Sequence, residues 1–365
     1  MSLTKDSAQA ALEALIDPLT GRTVGALGLL RRVDLAATAV HAEFELFSHA
    51  SSTRHALETA AKEALSSLGA THVTVDFTAN VRTRQVSSED PCPDVKNVIL
   101  VMSGKGGVGK STVATNLTLA LHRAGSRVGL LDADIYGPSI PTMLGVSGRP
   151  VSTDGKMIEP LERFGIKLMS IGFLLDDAKT AVVWRGPMLH GALQQFLKDV
   201  NWGKLDYLIL DLPPGTGDVA LTLSQKIKVT GAVIVTTPQE VALIDVYKSI
   251  SMCQKLSIPI LGVVENMSWF VDAAGNKVEI FGRGGGAKAA EHANAPLLGQ
   301  IPMDALVREW GDNGTPVVQA QPTSTAAAAF AHIAESLSDR VTLELHQAHG
   351  GLAPAEGPKR LKIVR

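Results

Sequence analysis

Cysteine is almost absent from this chain: Cys92 and Cys253 are the only two in 365 residues. That scarcity excludes a disulfide framework and any four-cysteine metal site held within one chain. Charge of one sign is lacking as well, because 34 Lys and Arg set against 36 Asp and Glu leave a net charge of -2. A balance so near zero argues against the broad basic footprint of a dedicated nucleic-acid binder. Long membrane-spanning runs are missing too. The charge-free stretch Gly314 to Ala334 contains two prolines and several Gln, Thr and Ser residues, so it fails as a span. The opening MSLTKDSAQA has no apolar core of an export signal, and the expected location is cytoplasmic, with no stable membrane association.

What is present is a chain that can build a core, with 45% hydrophobic and 19% charged residues. Its length suggests two domains at about 150 residues each, or one large domain with an appendage. Residues 1–86 read as a small α+β domain. Ser7 to Ile16 has helical apolar spacing and is stopped by Asp17-Pro18, while His41 to Phe47 and Val73 to Phe77 alternate as strands do. Thr53 to Leu68 places Ala56, Leu57, Ala60, Ala64, Leu65 and Leu68 on one helical stripe, and Gly69 closes it.

Residues 87–94, SSEDPCPD, form the expected linker, with Cys92 exposed between two prolines. From Val95 the grammar changes. Val98–Met102, Val128–Leu131, Tyr207–Leu210, Ala232–Val235 and Ile260–Val264 are short apolar runs, suited to strands buried on both faces of a parallel sheet. Helical segments lie between them, such as Thr112 to Ala124 with Val113, Leu117, Ala120, Leu121 and Ala124 on one face. The expected fold is a doubly wound, mostly parallel α/β domain over 95–340. A tail over 341–365 ends in the basic segment KRLKIVR, a solvated end or a weak membrane contact.

The strongest chemical signal is Gly104-Lys105-Gly106-Gly107-Val108-Gly109-Lys110-Ser111-Thr112, which satisfies the G-x-x-x-x-G-K-[ST] pattern. It follows an apolar run and opens a helix, as a phosphate-binding loop must. Glycines let successive backbone N–H groups turn inward around phosphate oxygens, and the helix N-terminus adds further donors. Lys110 would reach the β- and γ-phosphates of ATP, and the Ser111 hydroxyl would ligate Mg2+. A Gly-rich structural turn is the plainer alternative. Lys105 adds a second cation where one suffices. It can project across a dimer interface to a phosphate held by the other subunit, like an arginine finger given in trans.

Two carboxylate motifs follow apolar runs: Asp132-Ala133-Asp134 after VGLL, and Asp211-Leu212-Pro213-Pro214-Gly215-Thr216-Gly217-Asp218 after YLIL. Strand-end carboxylates sit in the ligand crevice of an open sheet. Asp211 is the expected partner of Mg2+, directly or through a water. Asp134 would orient or activate the attacking water, with Asp132 supporting it or the metal. Each alone could equally be a helix cap or turn residue. Gly215 and Gly217 give the second motif freedom to shift on hydrolysis, or simply make tight turns.

With its extra lysine in GKGGVGKS, the loop resembles the deviant Walker A ATPases, the family of MinD, ParA and the nitrogenase iron protein. The stretches DADIYGPSIP (132–141), WRGPM (184–188), DLPPGTGD (211–218), TTPQE (236–240), ENMSWF (265–270) and IFGRGGG (280–286) resemble one branch of it, the Mrp/ApbC-type iron–sulfur cluster carriers. IDPLTGRTVGALGLLRRVD (16–34) resembles the SufT-like assembly domain fused in front of bacterial members. The resemblance implies a homodimeric ATPase that holds a [4Fe–4S] cluster between subunits and passes it to iron–sulfur apoproteins, alongside assembly factors. By position Asn266 and the Pro238-Gln239 neighbourhood would flank the adenine, although a structural Asn after a strand fits equally. Arg185 would pair with phosphate or a switch carboxylate, or make a surface ion pair.

One departure stands against the cargo. After ENMSxF the carriers commonly have a Cys-x-x-Cys pair, whose thiolates from two subunits make four cluster ligands. Here the segment is Phe270-Val271-Asp272-Ala273-Ala274-Gly275-Asn276, and the loop Ser48 to Thr53 of the small domain also lacks cysteine. No cluster ligand can be carried over. Cys92 could be a mobile ligand or a bystander; Cys253, in an amphipathic helix, reads as a buried core thiol. The leading expectation is an ATP-hydrolysing cluster carrier. A nucleotide-switched adaptor without cargo is the alternative, and a partitioning ATPase on DNA or membrane a weaker third.

Overall fold

The computed structural model describes residues 3–135, 137–152, 155–174, 186–215 and 218–348. Within them the chain divides into two compact units, residues 3–82 with 338–348, and residues 83–337.

The smaller unit runs α1 Lys5–Glu13, α2 Val24–Leu27, β1 Leu30–Ala36, β2 Ala39–Leu46, α3 Ser51–Ser67 and β3 His72–Ala79. Its sheet has the order β1-β2-β3, with β1 antiparallel and β3 parallel to β2. The alternation read in 41–47 is real: every second residue of β2, from Val40 to Leu46, is buried. These join Leu12, Leu57, Ala61 and Leu65 in one core. On α3 the buried row steps by four through Thr53, Leu57, Ala61 and Leu65, and Ala56, expected on the stripe, is exposed.

The larger unit continues with β4 Val98–Ser103, α4 Lys110–Arg123, β5 Val128–Asp132, α5 Ile140–Met143, β6 Leu161–Arg163, β7 Ile166–Ser170, α6 Gly186–Lys198, β8 Tyr207–Asp211 and α7 Asp218–Lys226. After these come β9 Gly231–Thr236, α8 Glu240–Lys255, β10 Ile260–Glu265, a short hairpin of β11 Phe270–Val271 and β12 Lys277–Val278, α9 Gly285–His292, β13 Leu297–Gln300, α10 Ala305–Asp312, α11 Val317–Ala320 and α12 Thr325–Ala348. Eight strands form one sheet in the order β13-β10-β9-β4-β8-β5-β7-β6, parallel throughout except for the edge strand β6.

All five apolar runs read from the sequence are strands of this sheet, and every residue of β4, β5, β8, β9 and β10 is buried. Burial on both faces is what unbroken apolar runs require. Helix α4 is buried on nearly all sides, Lys110 and Asn116 included, rather than on one stripe. Because the strands are parallel, the carboxyl ends of β4, β5, β8 and β10 open on one side, and Ser103, Asp132, Asp211 and Glu265 stand there.

Two readings need correction. The segment 87–94 has no helix or strand, as its prolines imply, but Cys92 is 5% exposed rather than open to solvent. The buried guanidinium of Arg84 pairs with Asp90 and donates to the Cys92 carbonyl at 3.1 Å, which folds the stretch against the larger unit. A solvated tail does not begin at Val341 either. Helix α12 continues to Ala348, and Val341 and Leu345 bury on the smaller unit, where Thr342 Oγ1 donates to the Phe47 carbonyl at 3.5 Å. The basic KRLKIVR end lies outside the described residues, as do Trp184, Arg185, Thr216 and Gly217.

Removing one partner of a buried ion pair leaves an uncompensated charge, which costs about 3–5 kcal/mol. Asp90→Ala should therefore destabilise the larger unit strongly. Urea unfolding followed by tryptophan fluorescence checks this, since all four tryptophans lie between residues 83 and 337.

Candidate nucleotide site

Strand β4 delivers the chain into the glycine-rich loop, and α4 carries it away. Gly107 and Gly109 take φ of 82° and 81°, left-handed values that favour glycine. A Cβ at Gly109 would also stand 2.3 Å from Asn266 Nδ2, so the loop closes there only with glycine. Gly109 is the N-cap of α4 and offers no side-chain cap, which leaves first-turn N–H groups available to an anion.

The lysine that follows is the electrostatic centre. Lys110 Nζ lies 2.6 Å from Asp211 Oδ1 and 3.4 Å from Asp134 Oδ2. Ser111 Oγ donates to Asp211 Oδ2 at 2.5 Å. Asp211 is 0% exposed, and burial pushes its carboxyl above the ordinary range while Lys110 and Ser111 oppose the push. One lysine and one hydroxyl thus satisfy both oxygens of a carboxylate with no access to water.

Asp132 stands beside Asp211 across the β5–β8 pairing. It does not line the cavity. Its Oδ1 accepts from the Asp134 N–H at 3.1 Å and its Oδ2 from Ser170 Oγ at 2.9 Å, so it fixes the turn that presents Asp134. Burial first, then the charge of Asp211, pushes the Asp132 carboxyl up to about 7.

A cavity of about 790 Å3 opens over these groups. Lys105, Gly106, Gly107, Gly109, Lys110, Ser111 and Thr112 line it together with Asp134. Gly104 and Val108 of the same loop do not: a Cβ at Gly104 would stand 2.3 Å from the Asp245 backbone, and Val108 is buried. Lys105 makes no ion pair among the described residues. Asn266 lines the cavity and its Nδ2 donates to the Val108 carbonyl at 2.9 Å, joining β10 to the loop. Pro238 is not brought in: it is buried, with its carbonyl against Gly285 of α9.

The far wall escaped the sequence reading. It is made by Met267, Phe270, Phe281, Pro302, Met303 and Asp304. ENMSWF and IFGRGGG are family marks in the sequence, but only Asn266 of them has an expected place there, and Pro302–Asp304 follows β13 with no motif at all. Ser170, the partner of Asp132, was missed for the same reason: its strand β7 was not recognised.

The cysteines lie apart from all this. Cys253 is 0% exposed on α8, as expected, with its thiol directed at Met102 Sδ, 3.7 Å away. Burial pushes the Cys253 thiol up to about 11 and the Cys92 thiol up to about 12. Among the described residues no group of three or more His, Cys, Asp or Glu side chains could hold a metal ion. No described helix is long and apolar enough to cross a membrane.

Residues 94–338 match the family model of the NUBPL iron-transfer P-loop NTPase. The chain belongs to this family. Residues 5–77 of this iron-transfer NTPase match a second model, that of the iron–sulfur cluster assembly protein. It is 44% identical to an iron-sulfur cluster carrier protein of Synechocystis over 349 residues, covering 93% of this chain and 99% of that one. It is 48% identical to the protein of the same name from Escherichia coli, over 82% of this chain and 80% of that one. Among solved structures, a nucleotide-binding protein of Archaeoglobus fulgidus in complex with ADP is 41% identical, with a TM-score of 0.55, covering 63% of this chain and 92% of that one. MinD of Pyrococcus horikoshii, 24% identical with a TM-score of 0.50 over 68% of this chain and 98% of that one, shares the fold.

The raised Asp132 carboxyl gives a testable pH dependence. Unfolded, it titrates at about 4, and folded at about 7. Between those values the folded NTPase keeps a proton the unfolded chain has lost, so stability falls as pH rises through this window and levels off above it. Asp132→Asn cannot ionise and should escape that loss. Thermal unfolding should show the variant gaining on the native chain at pH 8 relative to pH 5.

Proposed function

We propose that this chain is an ATP-hydrolysing iron–sulfur cluster carrier that works as a homodimer and delivers [4Fe–4S] clusters to apoproteins. The nucleotide half rests on one observation, the contact of Lys110 and Ser111 with the buried Asp211 at the mouth of an uncapped helix. ATP would enter with its phosphates in the 104–112 loop. Lys110 would turn from Asp211 to the β- and γ-phosphates, and the Ser111 hydroxyl and Asp211 would hold Mg2+, which would neutralise charge on those phosphates. Asp134 orients the attacking water, and Asp132 holds Asp134 in place. Lys105 serves as a lysine in trans, reaching the γ-phosphate of the partner subunit and stabilising charge there as the bond breaks. This is the deviant Walker A reading of the loop.

Asn266 would face the edge of the adenine. One N–H of its amide goes to the Val108 carbonyl, and the second N–H and the oxygen remain for a ring nitrogen and the 6-amino group. Pro302 and Met303 supply apolar surface for the ring.

The cargo half rests on the relatives' name and on the assembly-protein match in 5–77. The residues present do not fit a four-thiolate cluster. Cys92 and Cys253 are buried, their thiols held protonated, and one stands in the 87–94 segment while the other faces Met102. That misfit favours a second reading, a nucleotide-switched dimeric adaptor of the same family that carries no cluster.

Two variants test the nucleotide site that both readings share, and a reconstitution separates them. Lys110→Ala should weaken ATP binding by roughly 10- to 100-fold, the scale of a lost charge-assisted contact. Lys105→Ala should bind ATP within about twofold of the native chain yet hydrolyse it roughly a hundredfold more slowly or worse; unchanged hydrolysis would remove the role in trans. Anaerobic reconstitution with iron and sulfide, followed by transfer to an apoprotein, tests the cargo. Iron held and transferred by the native chain supports the carrier. No retained iron leaves the adaptor, and full transfer by a Cys92→Ser, Cys253→Ser double variant dismisses ligation by these thiolates.

A further inference from the structure

Glu265 ends β10, immediately before Asn266, and its side chain is buried with only 1% of the residue exposed. A carboxylate at that depth needs partners, and this one has two from separate segments. Oε2 accepts the Gly286 N–H at 2.6 Å, in the first turn of α9, and Oε1 accepts Gln300 Nε2 at 2.6 Å, at the end of β13. The backbone carbonyl of Glu265 takes two more donors, the Ile301 N–H at 2.9 Å and Ser268 Oγ at 3.0 Å. The approach is close enough to require glycine: a Cβ at Gly286 would stand 2.6 Å from Glu265 Cβ.

Each tied segment runs directly into the far wall of the cavity. Asn266 and Met267 follow Glu265 itself, Phe281 precedes the α9 turn, and Pro302, Met303 and Asp304 follow Gln300. A further bond closes the set, since the Met303 N–H donates to the Trp269 carbonyl at 2.6 Å. None of these bonds reaches the glycine-rich loop or the carboxylates around Lys110. One buried carboxylate therefore gathers the three segments assigned to the base end, and these meet the phosphate loop through the Asn266 amide on the Val108 carbonyl.

We infer that Glu265 is a positioning residue for the nucleoside end of the site, setting how the base is held without touching it. The inference rests on the ATP-binding reading above. Replacing the carboxylate by an amide leaves one acceptor for two donors. In Glu265→Gln the contact with Gln300 survives only if that amide turns over to accept, and neither bond keeps its charge-assisted strength, so the wall loosens around the base while the phosphate cradle stays intact.

The test compares two ligands on the full chain with Mg2+ present: ATP, and inorganic tripolyphosphate, which has the phosphates without the base. Glu265→Gln should bind ATP about tenfold more weakly, the scale of one lost hydrogen bond to a charged group, and tripolyphosphate within about twofold of the native chain. In hydrolysis, KM for ATP should rise with kcat little changed. Gln300→Leu, which removes one donor and keeps the carboxylate, should show the same pattern to a smaller degree, and it serves should Glu265→Gln fail to fold. Equal weakening of both ligands would mean a general structural role and overturn the inference. So would native affinity for ATP in both variants. A native chain that binds tripolyphosphate but not ATP would instead remove the reading beneath it.

Discussion

The structure turns on a carboxylate placed where water cannot reach it. Asp211 ends a strand buried on both faces, and its charge is tolerable only because Lys110 and Ser111 meet both oxygens. Burial of an unpaired carboxylate costs several kcal/mol, so the loop that delivers Lys110 is fixed by the same contact that fixes Asp211. Gly109 lets the loop close, Asn266 clamps it from just beyond the end of β10, and α4 is buried nearly all round beneath it. In the proposed ATP complex a phosphate and its metal would offer Lys110, Ser111 and Asp211 equivalent partners. The site can thus exchange one satisfied arrangement for another rather than create charge interactions from nothing.

Around that centre the carboxyl ends of the sheet divide the labour. Asp132 and Ser170 hold the turn of Asp134, and Glu265 gathers the wall opposite. These two hydrogen-bond networks meet through Asn266, whose amide donates to the Val108 carbonyl. The cysteines belong to neither network, and their burial makes them packing residues of the larger unit. The chain has the glycine-rich loop and converging carboxylates, while its two cysteines stand apart from them, each in different surroundings.

Much of this was legible beforehand, for physical reasons. Unbroken apolar runs mark strands buried on both faces, and all five were found where expected. A glycine-rich loop between strand and helix has one common use, and Lys110, Ser111, Asp134 and Asp211 do converge. What stayed hidden is contact between segments distant in sequence. Nothing local in Gln300 or Gly286 announces Glu265 as their partner, and Pro302–Asp304 has no motif to mark it as a wall. Cys92 was misplaced because flanking prolines describe the backbone and not what packs over it; Arg84, eight residues earlier, decides its burial. The extension of α12 past Val341 was missed because a polar-looking end conceals apolar residues at helical spacing, Val341 and Leu345.

The most direct test is the Mg2+ dependence of ATP affinity in the native chain and in Asp211→Asn, measured by titration calorimetry with the metal and with chelator. If Asp211 exchanges Lys110 for a metal shared with Ser111, Mg2+ will tighten ATP binding in the native chain and change it little in the variant. An equal gain from Mg2+ in both proteins would contradict the account, because the metal would then be held without the carboxylate on which the site is built.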